Sequence, residues 1–351
     1  MIIHPEILRK FIAEALHKAG VSWPEAQVIA EILLDADLEG KPSHGISRLP
    51  VYVSCLKRGR MNSAPAIECR QIAPALGRVD GDNGLGLLVG ARAMTFAMEL
   101  ADKSGAGFVA VKRSSHFGTA AYYCRMAAEA GKIGLALTNA PSGVSPWGGR
   151  SAFLGTNPIA MAFPGRDSRH VVVDLSTSVT ARGRIIQAAK AGQPIPEGWA
   201  VDQDGRPTTD AKAAMQGAVL PMAGPKGYAL GLAVEILCSV LTGAAFGPHV
   251  GWMYDGSLKP VDVGHAFLAI DVAPLMDVAV FTSRLEDLVK EIKEVPLAYG
   301  HQEIFIPGER GRLAAFKHRD GLDITEPVLG ELEALAGELG LAPLSAMAEE
   351  R

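Results

Sequence analysis

Apolar positions recur at helical spacing through residues 5 to 19, where Ile7, Leu8, Phe11, Ile12 and Leu16 share one face. Ser22 and Glu25 have capping-box spacing for a second helix that reaches about Leu38. Gly40, Pro42 and Gly45 break the chain around Ser43 and His44, and a third helix is predicted from about Ile46 to Lys57. Residues 60 to 90 read as short strands ending in the turn cluster Asp80-Gly81-Asp82-Asn83-Gly84. Leu87 to Asp102 has a helix pattern, Gly107 to Lys112 a buried-strand pattern, and a helix follows from about Ala120 to Ala130. The runs Ile133 to Leu137, Ile159 to Phe163 and Val171 to Leu175 are further strands.

Thr180 to Arg184 leads into a helix, and the polar residues 191 to 217, rich in Gly, Pro and Asp, read as a surface excursion. Gly227 to Gly247 is a long apolar helix interrupted by Glu235, read as buried core. A strand over 263 to 271, a helix over Ser283 to Ile292, a strand ending in the Pro307 to Arg312 turn, and an amphipathic tail helix over 326 to 341 complete the pattern. Strands interleaved with helices place the chain in the α/β (α+β) class.

The stretch that begins at Asn139, between the runs Ile133–Leu137 and Ile159–Phe163, fits neither helix nor strand. Long ordered loops between core strands usually carry function. Gly148, Gly149 and Gly155 would let backbone N–H groups approach a ligand, Thr156 and Asn157 add side-chain donors, and Trp147, Phe153 and Leu154 offer anchors.

Composition narrows the class. The chain has 351 residues, 48% of them apolar, enough for a large core in two or three units. A net charge of −4 and the lack of a basic, aromatic-laced stripe give no reason to expect nucleic acid. Cys55, Cys69, Cys124 and Cys238 form no C-x-x-C pair, so neither a metal site nor a disulfide framework is suggested. The first ten residues lack an apolar signal core, and Glu235 with its small neighbours suits core packing better than a membrane span, which points to a soluble, cytoplasmic protein.

Candidate chemistry gathers at two places. Ser43, His44 and Arg48 supply a hydroxyl, a group that titrates near neutral pH and an anion clamp, with His44 and Arg48 one helical turn apart. His116 lies in a short polar turn between a strand and a helix, where α/β proteins bind ligands and a helix N-terminus offers free N–H groups to an anion. Lys226 opens the apolar helix, where it could meet a phosphate or carboxylate. G-x-G-x-x-G fails because the third glycine would fall at Val89, and the P-loop, H-E-x-x-H and G-x-S-x-G patterns are absent.

The segments Lys41-Pro-Ser-His-Gly-Ile-Ser-Arg48, Ser115-His-Phe-Gly118, Pro146-Trp-Gly-Gly149, Leu154-Gly-Thr-Asn-Pro158 and Pro225-Lys-Gly-Tyr228 occur in this order over nearly the whole chain. Together they resemble the malate/L-lactate dehydrogenase family outside the Rossmann class. The resemblance implies a non-Rossmann domain around a mixed, mostly antiparallel sheet, flanked by helical parts from both chain ends. On this sequence that means a helical region over 1–60, a cofactor and substrate region over 61–312, and a tail over 313–351 packing on the first. It further implies a homodimer that uses NAD or NADP without metal.

By motif, the resemblance makes Ser43 and His44 a proton relay and sets Arg48 beside cofactor and substrate. Cofactor contacts carried over are His116, Phe117, Gly118, Thr119, Ala120 and Ala121, then Thr156, Asp174, Leu175, Ser176, Arg182, Gly183 and Lys226. The turn Pro307, Gly308, Glu309, Arg310, Gly311 and Arg312 closes over the cofactor. The implied reaction moves a hydride between NAD(P) and a small 2-hydroxy or 2-oxo acid, with His44 as proton carrier and His116 the other candidate. Family members that reduce cyclic imines tend to carry an acidic residue where Arg184 stands. The basic residue favours oxo and hydroxy acids, with a second carboxylate near Arg182 or Arg184. Reduction of a cyclic imino acid such as piperideine-2-carboxylate or pyrroline-2-carboxylate is the alternative, and a non-catalytic nucleotide-binding homologue is a second one.

Overall fold

A computed structural model describes residues 1–349. The chain begins with β1 (Ile2–Ile3), α1 (Pro5–Lys18), α2 (Trp23–Leu38) and α3 (Leu49–Lys57). Then come β2 (Glu68–Ala73), β3 (Leu76–Asp80), α4 (Gly86–Ser104), β4 (Ala106–Ser114), α5 (Ala120–Glu129) and β5 (Lys132–Thr138). β6 (Ile159–Phe163), β7 (Val171–Leu175), α6 (Arg182–Ala191), β8 (Ala200–Val201), β9 (Pro207–Thr208), α7 (Ala211–Gln216) and β10 (Ala218–Val219) follow. The last part holds α8 (Pro225–Glu235), β11 (Val263–Asp271), α9 (Val278–Glu294), α10 (Glu309–His318), β12 (Leu322–Asp323), α11 (Glu326–Leu339) and α12 (Leu344–Glu349).

The central seven-stranded sheet has the order β2-β3-β4-β11-β5-β6-β7. β3 and β4 run parallel, and the other neighbouring pairs are antiparallel. This is the mixed, mostly antiparallel sheet expected. α4 and α5 pack on one face, while α8 and the π-helical turn Ile236–Val240 that prolongs it cover the other. α1, α2 and α3 pack together beside α4, and α11 and α12 return from the far end of the sequence onto α1 and α3. β1 and β12 pair in register, which ties the two chain ends directly.

Local signals explain several boundaries. His4 accepts from the Glu6 N–H at 3.2 Å and Pro5 opens α1, while His17 and Lys18 sit in its last turn, where the helix dipole favours cations. α4 stops at Gly105, whose φ of 79° is left-handed. At α2 the expected capping box is not made to the backbone: Ser22 Oγ donates to Glu25 Oε2 at 2.7 Å instead.

Three further expectations need correction. The apolar stretch after Pro225 buries one face only: Val234, Glu235, Cys238 and Ser239 are inside, whereas Leu230, Ile236, Val240 and Leu241 are exposed. Pattern alone could not separate these faces, because the segment is apolar all round. Among the described residues no helix is long and apolar enough to cross a membrane. Residues 191–217 are more than an excursion. β8, β9 and β10 form a small sheet whose own core includes Ile185, Ile195, Ala200, Ala211 and Val219. The run at Ile304 joins no named strand, and Glu309 to Arg312 form the first turn of α10 rather than a loop.

Candidate active site

After α2 the chain folds into two single 3-10 turns, Pro42–His44 and Ile46–Arg48, joined at Gly45 and running into α3. Ser43 Oγ lies 2.9 Å from His44 Nδ1. Arg48 Nε donates to the Ser43 carbonyl at 2.5 Å, and Arg48 Nη1 donates to the Tyr254 hydroxyl. The His44 ring stacks on the His116 ring, with centroids 5.6 Å apart and an interplanar angle of 28°. The two places the sequence singled out therefore form one site.

His116 is held from behind. Tyr52, fully buried in α3, has its hydroxyl 2.6 Å from His116 Nδ1, and the Gly118 N–H lies 3.4 Å from the same atom. A backbone N–H can only donate, so Nδ1 accepts and the ring proton sits on Nε2. The next residue, Phe117, stacks at 4.6 Å on His265, whose ring nitrogens lie 2.8 Å from Thr138 Oγ1 and Ser114 Oγ within the sheet. The turn that carries His116 is thus fixed to β4, β5 and β11.

The electrostatics disfavour added positive charge. Burial, then the neighbouring Arg48 guanidinium, lower His44 to about 4. Burial, followed by His44 and Arg48, holds His116 well below the ordinary histidine value. Burial pushes the Tyr52 phenol up, so it stays protonated and able to donate.

A band of groups suited to a nucleotide runs from this pair. α5 begins immediately after the His116 turn, its N-cap Thr119 makes no side-chain capping bond, and the buried Thr119 Oγ1 has no partner. Phe117, Gly118, Ala120 and Ala121 surround that helix start; Gly118 needs glycine, with φ 75°. α5 packs on β7. At the end of β7, Asp174 pairs with Lys41 at 2.9 Å, Leu175 is exposed, and Ser176 Oγ donates to the Ser178 carbonyl at 3.0 Å. The Thr156 carbonyl accepts from Thr177 N–H at 2.9 Å, and the Pro307 carbonyl accepts from Val172 N–H at 3.0 Å. At Gly308, φ 90°, a Cβ would come within 2.7 Å of Val172. The Gly308 glycine serves that packing, while an open helix N-terminus and an unpaired buried hydroxyl are features a phosphate-bearing dinucleotide fits.

The remaining sequence candidates are placed as follows. Glu309 receives a 2.7 Å bond from Lys293, Arg312 lies 3.8 Å from Glu309, the Arg310 guanidinium covers the Phe305 ring, and Gly311 abuts Glu39. Arg182, Gly183 and Arg184 open α6; Arg182 donates to the Ser142 and Met215 carbonyls at 3.4 and 3.5 Å, and Arg184 is exposed. Those bonds tie Arg182 to the small-sheet region rather than to the Ser43–Arg48 turns. Lys226 is exposed in the first turn of α8.

In the loop after Asn139, only part of the expected ligand chemistry survives. A Cβ at Gly155 would lie 2.3 Å from the Ala140 carbonyl, so that glycine serves packing. Asn157 is buried and its NH₂ donates to Glu235 Oε2 at 2.6 Å and to the Gly231 carbonyl at 2.9 Å, so its donors are committed to structure, while the buried Oδ1 has no partner. Leu154 anchors the loop at 3% exposure, whereas Trp147 and Phe153 are 55% and 41% exposed.

Sequence reasoning missed Tyr52, Tyr254 and Lys41. Tyr52 had a signal: His44, Arg48 and Tyr52 continue one spacing of four. Lys41 and Tyr254 had none, because their partners Asp174 and Arg48 are distant in sequence.

A family model described as malate/L-lactate dehydrogenase matches residues 3–333. An L-sulfolactate dehydrogenase of Methanocaldococcus jannaschii is 40% identical over 344 residues, 97% of this chain and 98% of that protein. A solved structure of sulfolactate dehydrogenase from that organism superimposes with a TM-score of 0.92 over 99% of each chain, at 39% identity. A (2R)-3-sulfolactate dehydrogenase (NADP(+)) of Chromohalobacter salexigens is 39% identical over 92% of this chain and 94% of its own. A ureidoglycolate dehydrogenase (NAD(+)) of Escherichia coli K12 is 32% identical over 93% of this chain and 94% of its own.

Proposed function

The chain belongs to the malate/L-lactate dehydrogenase family of oxidoreductases, and from that premise we propose that it passes a hydride between NAD or NADP and a small 2-oxo or 2-hydroxy acid. The observation that carries this is the Ser43–His44 pair stacked on a Tyr52-held His116, with Arg48 in the following turn. The nicotinamide supplies or accepts the hydride; the residues of this chain handle the proton and the carboxylate. His44 takes the hydroxyl proton in oxidation and returns it in reduction, with Ser43 Oγ on its Nδ1. His116 presents an Nε2–H donor to the substrate oxygen, because its Nδ1 is occupied. Arg48 clamps the carboxylate, taking it in exchange for the Tyr254 hydroxyl.

The residues that would hold the cofactor are those of the α5 start, Thr156, Asp174–Ser176 and the Pro307–Arg312 segment, with Arg182, Gly183 and Lys226 as further contacts. Relatives named for sulfolactate act on a hydroxy acid with a second anionic group. A dianionic substrate is the one proposed here; the exposed Arg184 is the side chain free to meet its second anion, since Arg182 already donates to the Ser142 and Met215 carbonyls. The first experiment mixes protein with NADH or NADPH and a panel of oxo acids, with a cyclic imino acid included, and follows absorbance. No turnover on any oxo acid sinks the reading, and turnover on the imine alone moves the substrate class.

Arg48→Lys keeps the charge and loses the two-pronged contact. Hydrogen bonds to charged groups are worth roughly 1.5 to 3 kcal/mol, so kcat/KM for the oxo acid should fall by about ten- to a hundred-fold. Titrating both ligands separates the roles. An unchanged oxo-acid KM with collapsed cofactor affinity would make Arg48 a cofactor residue.

The exposed apolar face of α8 and the π turn supports a homodimer, since Val240 and Leu241 stand 66% and 58% exposed on it. Light scattering should give twice the chain mass of 36.9 kDa, and Val240→Glu should shift the mass towards one chain. A monomer at micromolar concentration would remove this proposal.

A further inference from the structure

We propose that Asp37 is the positioning residue of this site: its carboxylate clamps the joint between the two short turns that present His44 and Arg48. The proposal rests on the roles given to those two residues above. Asp37 stands in the last turn of α2, where the helix dipole disfavours a negative charge, and it is only 6% exposed. Burying a carboxylate is costly unless it meets donors. Asp37 Oδ2 accepts the Ile46 N–H at 2.7 Å, the first N–H of the turn that ends at Arg48. That turn has no side-chain cap from its own N-cap residue, Gly45, so Asp37 supplies the acceptor from another helix.

The same carboxylate lies flat against Gly45. A Cβ built there would stand 2.2 Å from Cγ and from both oxygens of Asp37. Whatever its backbone of φ −95° and ψ −144° also asks for, a side chain at Gly45 would take the space Asp37 fills. Each turn is closed by its own backbone bond, His44 N–H to the Lys41 carbonyl and Arg48 N–H to the Gly45 carbonyl, both at 2.9 Å. Two side-chain bonds cross the joint, Ser47 Oγ to the Pro42 carbonyl at 2.6 Å and Arg48 Nε to the Ser43 carbonyl, and hold the turns to each other. The Gly45 N–H to Pro42 carbonyl contact across the joint is long, at 3.4 Å. Asp37 therefore ties that joint to α2, and with it the placement of the His44 turn and the Arg48 turn together. Burial pushes its carboxyl up to about 7 against the pull of the Ile46 N–H, a mark of how unfavourable the placement is for the charge alone. A misplacement of about 1 Å at a reacting group can cost on the order of a hundred-fold in rate. The α5 start and β7, which carry the cofactor band, do not hang on Asp37.

The test compares Asp37→Ala, Asp37→Asn and Gly45→Ala with the wild type in oxo-acid reduction, NADH affinity by fluorescence, and hydrogen exchange by mass spectrometry. Asp37→Ala is expected to lower kcat/KM for the oxo acid by about ten- to a hundred-fold, with the NADH Kd within about twofold. Exchange should rise in the peptide covering residues 42 to 48, with the interior of α4 unchanged. Asp37→Asn keeps an acceptor for Ile46 and should stay within about threefold of wild type. Gly45→Ala, which displaces the carboxylate while leaving Asp37 in place, should reproduce the Ala variant.

The proposal is overturned by an Asp37→Ala enzyme with near wild-type kcat/KM, by equal losses in NADH affinity and oxo-acid use, or by an Asn variant as impaired as Ala. If Asp37→Ala does not fold, the Asn and Gly45→Ala variants decide. Should the wild type turn over no oxo acid, the function reading fails while the exchange arm still tests the clamp.

Discussion

His44→Ala is expected to lower turnover by about 10² to 10⁴, the usual cost of losing a positioned acid–base group, with cofactor Kd within about threefold. His44 hangs on the Ser43–Arg48 turns, whereas the nucleotide-suited groups stand on α5, β7 and the start of α10. The variant separates the two histidines, because His116 already has Nδ1 occupied and carries its proton on Nε2. A variant within a few-fold of wild type would hand the proton to His116.

The pH profile gives an independent check. Burial and Arg48 hold His44 at about 4, so its imidazole is neutral above that pH. Oxidation needs the neutral base, and kcat/KM for the hydroxy acid should be level in His44 ionisation from about pH 5 to 8. Reduction needs the protonated ring, whose share falls about tenfold per pH unit above its pKa, so kcat/KM for the oxo acid should decline across the neutral range. A rising limb near pH 6.5 in oxidation would place an unperturbed histidine in the role.

The site was legible where its chemistry is local. Ser43, His44 and Arg48 are a few residues apart, and His116 stands between a strand and a helix, so spacing alone marked both places. That the two rings stack could not be read, because the contact depends on α3 lying against the start of α5 through Tyr52. The glycines and amides of the loop after Asn139 misled for a related reason. Gly155 and Asn157 look like ligand contacts in one dimension, yet in three they meet Ala140 and Glu235.

Secondary structure was legible wherever one face is apolar and the other polar. α1 and α5 fell within a residue or two of their expected bounds. The strand order was not, since β11 reaches the middle of the sheet from late in the chain and separates β4 from β5. The segment after Pro225 defeated the pattern because apolar residues surround it, and only the sheet on one side decides which of them are inside.

Glu235 is where that segment and the loop after Asn139 are joined, and its replacement should have the largest effect on stability. It is 3% exposed; Oε2 accepts from Asn157 Nδ2 at 2.6 Å and Oε1 accepts from the Gly247 N–H at 2.8 Å. Asn139 Nδ2 lies 3.5 Å from Oε1, and its Oδ1 accepts from the Gly264 N–H in β11 at 3.0 Å. Glu235→Ala leaves buried donors unmatched at about 1 to 3 kcal/mol each, partly offset at Asn157 by its second bond to the Gly231 carbonyl. We expect a loss of about 3 kcal/mol and a melting temperature lower by several degrees. Glu235→Gln is the sharper variant. It preserves shape, but only one of its terminal atoms can accept, so an NH₂ must face either the Asn157 amide or the Gly247 N–H. Gln should therefore also destabilise, by roughly half the Ala effect. Thr156 immediately precedes Asn157, so cofactor Kd should rise in both variants well below their melting temperatures. A Gln variant that melts with the wild type would show that a single acceptor suffices, and would detach the helix from the placement of the loop.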